Sequence, residues 1–103
     1  QEYILENYQK DISLEHIADW MGISYSYIRK IFSTLFGMTF LDYIHSIRIE
    51  KARQLLRETN HGISGIASMV GYTNTARFNR NFSKITGCTP SEYRIRVRNS
   101  LLG

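Results

Sequence analysis

Residues 66–98 read IASMVGYTNTARFNRNFSKITGCTPSEYRIRVR, and residues 17–48 read IADWMGISYSYIRKIFSTLFGMTFLDYIHSIR. The two stretches are versions of one pattern. Ile17-Ala18 and Gly22 match Ile66-Ala67 and Gly71 at an offset of 49. Phe32-Ser33, Gly37, Thr39, Tyr43 and Arg48 match Phe82-Ser83, Gly87, Thr89, Tyr93 and Arg98 at an offset of 50, so the second copy carries one extra residue in its first turn. Two copies are too few for a solenoid and describe a duplicated module joined by a connector.

Along the whole chain apolar residues recur at spacings of three and four, Val appears only twice, and no stretch alternates long enough for a strand. An all-α fold follows. Ser13, Thr39 and Thr89 stand where N-caps belong, and Thr89-Pro90-Ser91-Glu92 reads as a capping box with proline at the first helical position. Gly22, Gly37, Gly71 and Gly87 stand where helices end. The spacing predicts seven helices, over about residues 2–10, 14–21, 25–36, 40–58, 64–70, 75–86 and 90–96.

Each copy is a short helix ending in glycine, a tight turn, and a longer second helix. In the first copy these are Leu14 to Met21, then Gly22-Ile23-Ser24, then Tyr25 to Phe36 with Ser24 as N-cap. That is the helix-turn-helix layout, which needs a small residue in the first helix (Ala18, Ala67), a glycine at the turn, and an apolar plug after it (Ile23, Tyr72). The expected organisation is a first unit over about residues 1–38, a linker helix over about 40–58, and a second unit over about 60–98. This is a tandem, homeodomain-like arrangement.

Composition narrows the function classes. With 103 residues, 43% hydrophobic and 21% charged, the chain fits one small domain and is too rich in aromatics and aliphatics for disorder. No apolar run reaches the roughly 18–20 residues of a membrane span, and no signal peptide opens the chain. The single Cys88 excludes an internal disulfide and fits a reducing cytoplasm. His16, His45 and His61 lack ligand spacing and read as surface or boundary residues, so no metal or other cofactor is expected. A nucleophile beside a histidine, paired carboxylates on one face and a phosphate loop are all missing, so the chain does not read as an enzyme. Charge is uneven: residues 1–28 carry one base and five acids, residues 29–58 six bases and three acids, and residues 59–103 six bases and one acid. A pI near 9.4 with this distribution points to a polyanionic partner.

The chain resembles the DNA-binding domain of AraC/XylS-type bacterial transcription regulators over essentially its whole length. The carrying residues are Ile17-Ala18, Gly22-Ile23-Ser24 and Phe32, then Phe40, Tyr43, Arg48, Ile49, Ala52, Leu55 and Leu56 in the linker helix. Ile63, Ile66-Ala67, Val70-Gly71-Tyr72, Phe78, Arg80, Phe82, Gly87, Thr89-Pro90 and Tyr93-Arg94 carry the rest. The family often has arginine where this chain has Lys30 and glutamate where it has Gly65, and residues 74–77 lack the common proline and aromatic.

In a helix-turn-helix the second helix enters the major groove and its early outward residues meet base edges. Periodicity puts Ile28, Ile31, Phe32 and Leu35 inward on the first such helix and Phe78, Phe82 and Ile85 inward on the second. Periodicity and the resemblance together assign base readout to Ser26, Arg29 and Lys30 in the first unit and to Thr75, Ala76, Asn79 and Arg80 in the second. Ser33, Arg77, Ser83, Lys84, Ser91, Tyr93 and Arg94 are the expected backbone contacts. Arg94, Arg96 and Arg98 either add nonspecific affinity or hang free.

The 19-residue linker spans about 28 Å, close to the roughly 34 Å turn of B-DNA, which suits two readers in successive major grooves. Its stripe of Leu41, Ile44, Ala52, Leu55 and Leu56 is expected to be buried. Arg48 reads as structural, paired with an acid or a helix-end carbonyl, with a phosphate contact as the alternative. The resemblance implies duplex DNA with an asymmetric two-part site, RNA polymerase as a partner, and a preceding sensor or receiver domain. The rival reading is a helical protein-interaction module with a basic face, which predicts no base preference.

Overall fold

A computed structural model describes residues 7, 8 and 13–102. Among them are six helices rather than seven: α1 Leu14–Met21, α2 Tyr25–Phe36, α3 Phe40–Glu58, α4 Ile63–Met69, α5 Thr75–Thr86 and α6 Pro90–Leu102. The helix expected over residues 2–10 falls outside the described residues, apart from 7 and 8. No strand occurs among the described residues. The chain divides into two compact units, Gln1–Ile47 and Arg48–Gly103, with α3 running through the division.

Side-chain caps start the helices where the sequence puts them. The Ser13, Ser24 and Thr39 hydroxyls accept from the backbone N–H of His16, Tyr27 and Asp42 at 3.1, 3.2 and 3.1 Å. Asn74 supplies the cap of α5, its Oδ1 accepting from Arg77 N at 3.0 Å. The turns of the two units repeat in their hydrogen bonds. Gly22 N donates to Asp19 O and Ile23 N to Ala18 O, while Gly71 N donates to Ser68 O and Tyr72 N to Ala67 O. Gly22 and Gly71 take φ values of 72° and 107°, which a side chain at either position would resist.

In the first unit, Leu14, Ala18 and Ile28 form one buried cluster with Ile17 and Ile23 packed on it. Phe32 and Ile44 form another with Phe36, Tyr43 and Ile47, and Phe40 packs on both. Phe32 sits 4.5, 5.4 and 5.3 Å from the rings of Phe36, Phe40 and Tyr43. In the second unit Ile49, Ala52, Leu56, Ile66, Ala67, Val70, Tyr72, Phe78 and Phe82 are buried. Tyr72, Phe78, Phe82 and Tyr93 make a chain of ring contacts at 5.4, 5.8 and 5.7 Å. Burial pushes the Tyr72 phenol above its usual range, opposed by the Asn81 hydrogen bond and the Arg48 charge.

Several expected core positions lie outside. Leu35 is 72% and Leu41 58% exposed, and Ile85 is also on the surface. Each stands one residue in from a helix end, Leu35 and Ile85 next to last in α2 and α5 and Leu41 second in α3, where the chain turns away and little packs over the stripe. Leu55 is only half-buried, whereas His45, expected at the surface or boundary, is buried one residue from Ile44. The last helix runs to Leu102 instead of ending near residue 96, since no glycine or proline interrupts it. Arg94 and Arg98, one turn apart, fasten that extension to the end of α3.

Candidate nucleic-acid interface

The N-cap at Ser24 and the buried pair Ile28 and Phe32 fix the rotation of α2. Ser26, Arg29, Lys30 and Ser33 then fall within an arc of about 100° opposite that pair, and all four are exposed. Asn74 and the buried pair Phe78 and Phe82 do the same for α5, turning Ala76, Asn79 and Arg80 outward with Ser83 half-buried among them. The two arcs occupy matching positions at the offset of 50. They differ in chemistry: the first offers two cations, the second an amide and one cation.

On one side of its arc, α2 borders a groove of about 600 Å³ lined in part by Tyr25, Arg29, Ser33, Thr39 and Leu41. The Arg29 guanidinium lies over the Tyr25 ring, 5.6 Å from its centroid. Lys30 faces a second, smaller groove of about 340 Å³ with Tyr27, Ile31, Thr34 and Leu35. Ser33 therefore joins Arg29, and Lys30 does not. In the second unit Thr75 is half-buried and its hydroxyl meets Ser64 Oγ at 3.4 Å. Asn79, Arg80 and Lys84 are exposed, with no side-chain hydrogen bond, ion pair or ring contact among the described residues. Arg77 and Ser91 are exposed as well.

Two of the expected backbone contacts are engaged within the second unit. Arg94 is half-buried, its Nε donating to Leu56 O at 3.2 Å and its Nη2 to Thr59 O at 3.2 Å. Desolvation lowers its pKa from the ordinary arginine value, the Arg98 charge adding to the effect. Arg98 Nη2 donates to the same Thr59 carbonyl at 2.7 Å and to Asn60 Oδ1 at 2.9 Å. Both arginines satisfy carbonyls at the C-terminal end of α3, where a helix has acceptors without partners. Tyr93 accepts from Arg57 Nη1 at 3.1 Å and lies under the Arg53 guanidinium at 5.8 Å. That hydrogen bond raises the Arg57 pKa further. Arg48 rests on the Tyr72 ring at 5.3 Å.

Residues 17–96 match the helix-turn-helix domain family. The chain belongs to the AraC-type members of this DNA-binding, transcription-regulating family. It is 38% identical to the lactose operon transcription activator of Staphylococcus xylosus over 90% of this chain and 33% of that protein. It is 36% identical to the bifunctional transcriptional activator/DNA repair enzyme AdaA of Bacillus subtilis over 90% of this chain and 44% of that protein. Among solved structures, the C-terminal domain of AraT, a response regulator from Geobacillus stearothermophilus, superposes with a TM-score of 0.87. That pair is 32% identical, covering 92% of this chain and 79% of that one. The chain thus spans less than half the length of these two curated relatives. Among the described residues no helix is long and apolar enough to cross a membrane, and no three His, Cys, Asp or Glu side chains are grouped as metal ligands would be.

Sequence reasoning missed the Asn74 cap and the internal roles of Arg53, Arg57 and Arg98. Asn74 was within reach, since asparagine ahead of an apolar-periodic helix is a standard N-cap. Arg53 has a local partner in Glu50 at 3.2 Å, but its Tyr93 ring and the partners of Arg57 and Arg98 lie some 35 to 40 residues away along the chain, where no local signal announces them.

Proposed function

We propose that this domain reads an asymmetric two-part site in duplex DNA, one block for each reader helix, and so regulates bacterial transcription. The observation that carries this reading is the pair of outward arcs on α2 and α5, fixed in register by matching caps and buried pairs. Ser26, Arg29 and Lys30 read one block and Thr75, Ala76, Asn79 and Arg80 the other. Arginine bonds guanine O6 and N7 through two donors, asparagine bonds adenine N6 and N7, and the Ala76 methyl packs on thymine. Ser33, Arg77, Ser83, Lys84 and Ser91 hold backbone phosphates. Tyr93 and Arg94 act on the backbone at one remove, by shaping the end of the second unit. The domain has no catalytic step of its own and takes no cofactor or metal. It works in the cytoplasm within a longer regulator, where a sensor or receiver domain supplies the signal and RNA polymerase receives the output. The greater length of its relatives supports that placement.

The test is selection from a random duplex library by the 103-residue chain, with the bound pool sequenced. A two-block asymmetric motif is expected. Arg80→Ala should erase preference at one base position, a loss of about 1–3 kcal/mol for the cognate base. Lys84→Ala should weaken binding evenly across sequences and reduce the salt slope by about one. Equal losses without any change of base preference would sink the assignment and favour a basic protein-binding face.

A further inference from the structure

We propose that Tyr25 is a specificity-determining positioning residue of the first reader, its ring holding the Arg29 guanidinium in place before DNA arrives. The proposal rests on the reading of Arg29 as a base-contacting residue. Tyr25 and Arg29 stand four residues apart on α2, and long helical side chains lean toward the N-terminus, so Arg29 is carried back over the Tyr25 ring. The contact, 5.6 Å from cation to centroid, uses the ring's π-face and consumes none of the guanidinium's N–H donors. The fork that would meet a guanine stays available.

Both side chains are exposed and border the groove that also holds Ser33, and Arg29 has no carboxylate partner among the described residues. An exposed arginine without an anchor samples many rotamers, all but a few of which are given up when it makes a two-donor contact. A ring one turn earlier removes part of that loss in advance. Tyr25 itself lies beside the outward arc, where it can brace Arg29 without displacing it from the base edges.

The second reader has no counterpart. The positions matching Tyr25 and Arg29 are Thr75 and Asn79, and the Thr75 hydroxyl turns to Ser64. Arg80, the cation of that helix, has no ring or carboxylate beside it among the described residues. The stack is a feature of the first reader alone.

Affinities for the selected site and its single-base variants should be measured for the 103-residue chain and for Tyr25→Phe, Tyr25→Ala, Arg29→Ala and the Tyr25→Ala/Arg29→Ala double variant. Arg29→Ala should flatten the preference at one base position. Tyr25→Ala should lower discrimination at that position about two- to fivefold, leaving other positions and the salt slope unchanged. Tyr25→Phe should behave as the parent, and Tyr25→Ala should add nothing when Arg29 is already gone. Circular dichroism checks the fold, and Tyr25→Leu replaces Tyr25→Ala if the latter unfolds. An unchanged preference in Tyr25→Ala, an even loss across positions, a Tyr25→Phe as weak as Tyr25→Ala, or an effect that survives in the double variant each overturns the stack. If Arg29→Ala alters no base position, the reading of Arg29 falls and the stack with it. If Arg29→Ala alters one and Tyr25→Ala does not, only the stack falls.

Discussion

Matched positions of the two units carry different residues and different burial. Ile28 on α2 corresponds to Phe78 on α5; Ile28 is 8% exposed, while Phe78 is fully enclosed between the rings of Tyr72 and Phe82. Ile44 corresponds to Arg94: the first packs on Phe32 in an apolar cluster, the second grips two carbonyls at the end of α3. Among the described residues the first unit also leaves Trp20, Leu35 and Leu41 more than half exposed. The backbone turn is duplicated, yet its support is not: both units pack rings, but the second encloses Phe78 and Phe82 fully and adds an arginine clamp, while Ile28 and Phe32 of the first stay slightly exposed. A shared helix-turn-helix geometry therefore constrains the cap, the turn and the inward register, and leaves the means of burial free.

Truncating the two matched core residues tests that difference in depth. Phe78→Ala should cost about 3–5 kcal/mol, because a fully enclosed ring leaves a cavity its ring-shaped neighbours fill poorly. Ile28→Ala should fall near the low end of about 2–5 kcal/mol, since a site at the surface of its cluster can partly collapse or admit water. Urea unfolding followed by circular dichroism measures both. Equal losses would mean the two cores are equally demanding.

Arg94 sharpens it. Arg94→Ala removes two charge-assisted hydrogen bonds, leaving Leu56 O without its side-chain donor and Thr59 O to Arg98 alone, which should lower stability by about 1.5–3 kcal/mol. DNA affinity of the folded variant should keep its salt slope. If instead Arg94 holds a phosphate, the slope falls by about one while unfolding is unaffected.

What the sequence discloses follows the same line. Caps, turns and the inward register of α2 and α5 are written locally: Ser13, Ser24, Thr39 and Thr89 cap as their positions indicate, and Ile28, Phe32, Phe78 and Phe82 are buried at helical spacing. The outward residues follow from the inward ones by phase alone. Periodicity failed next to helix ends, because it assigns a direction to Leu35, Leu41 and Ile85 but not whether a neighbour arrives to cover them. For Arg94 the sequence suggests a phosphate contact and gives no sign of the Leu56 and Thr59 carbonyls it meets, nearly forty residues earlier. A charged residue in a basic stretch looks free until the fold brings acceptors to it.

A subtler difference separates the paired caps Thr39-Asp42 and Thr89-Glu92. In both, the threonine hydroxyl accepts from the backbone N–H three residues on, at 3.1 Å. Only Glu92 returns the bond, its Oε1 accepting from Thr89 N at 2.8 Å. Aspartate is one methylene shorter, and Asp42 makes no such return among the described residues. The bonds from the Thr89 N–H and side chain hold the Glu92 carboxyl below the ordinary glutamate value of 4.5. The folded chain therefore binds fewer protons there than the unfolded chain at mildly acidic pH. The box contributes its full share of stability at neutral pH and loses it as pH falls from the ordinary value through the depressed one. Glu92→Gln should be less stable than the parent at pH 7, and the gap should narrow as unfolding is measured at successively lower pH. Asp42→Glu supplies the missing methylene and should give the first unit the same acid-sensitive increment. A gap that stays constant with pH would show that the Glu92 bond does not depend on its charge, and the two caps would then differ in form alone.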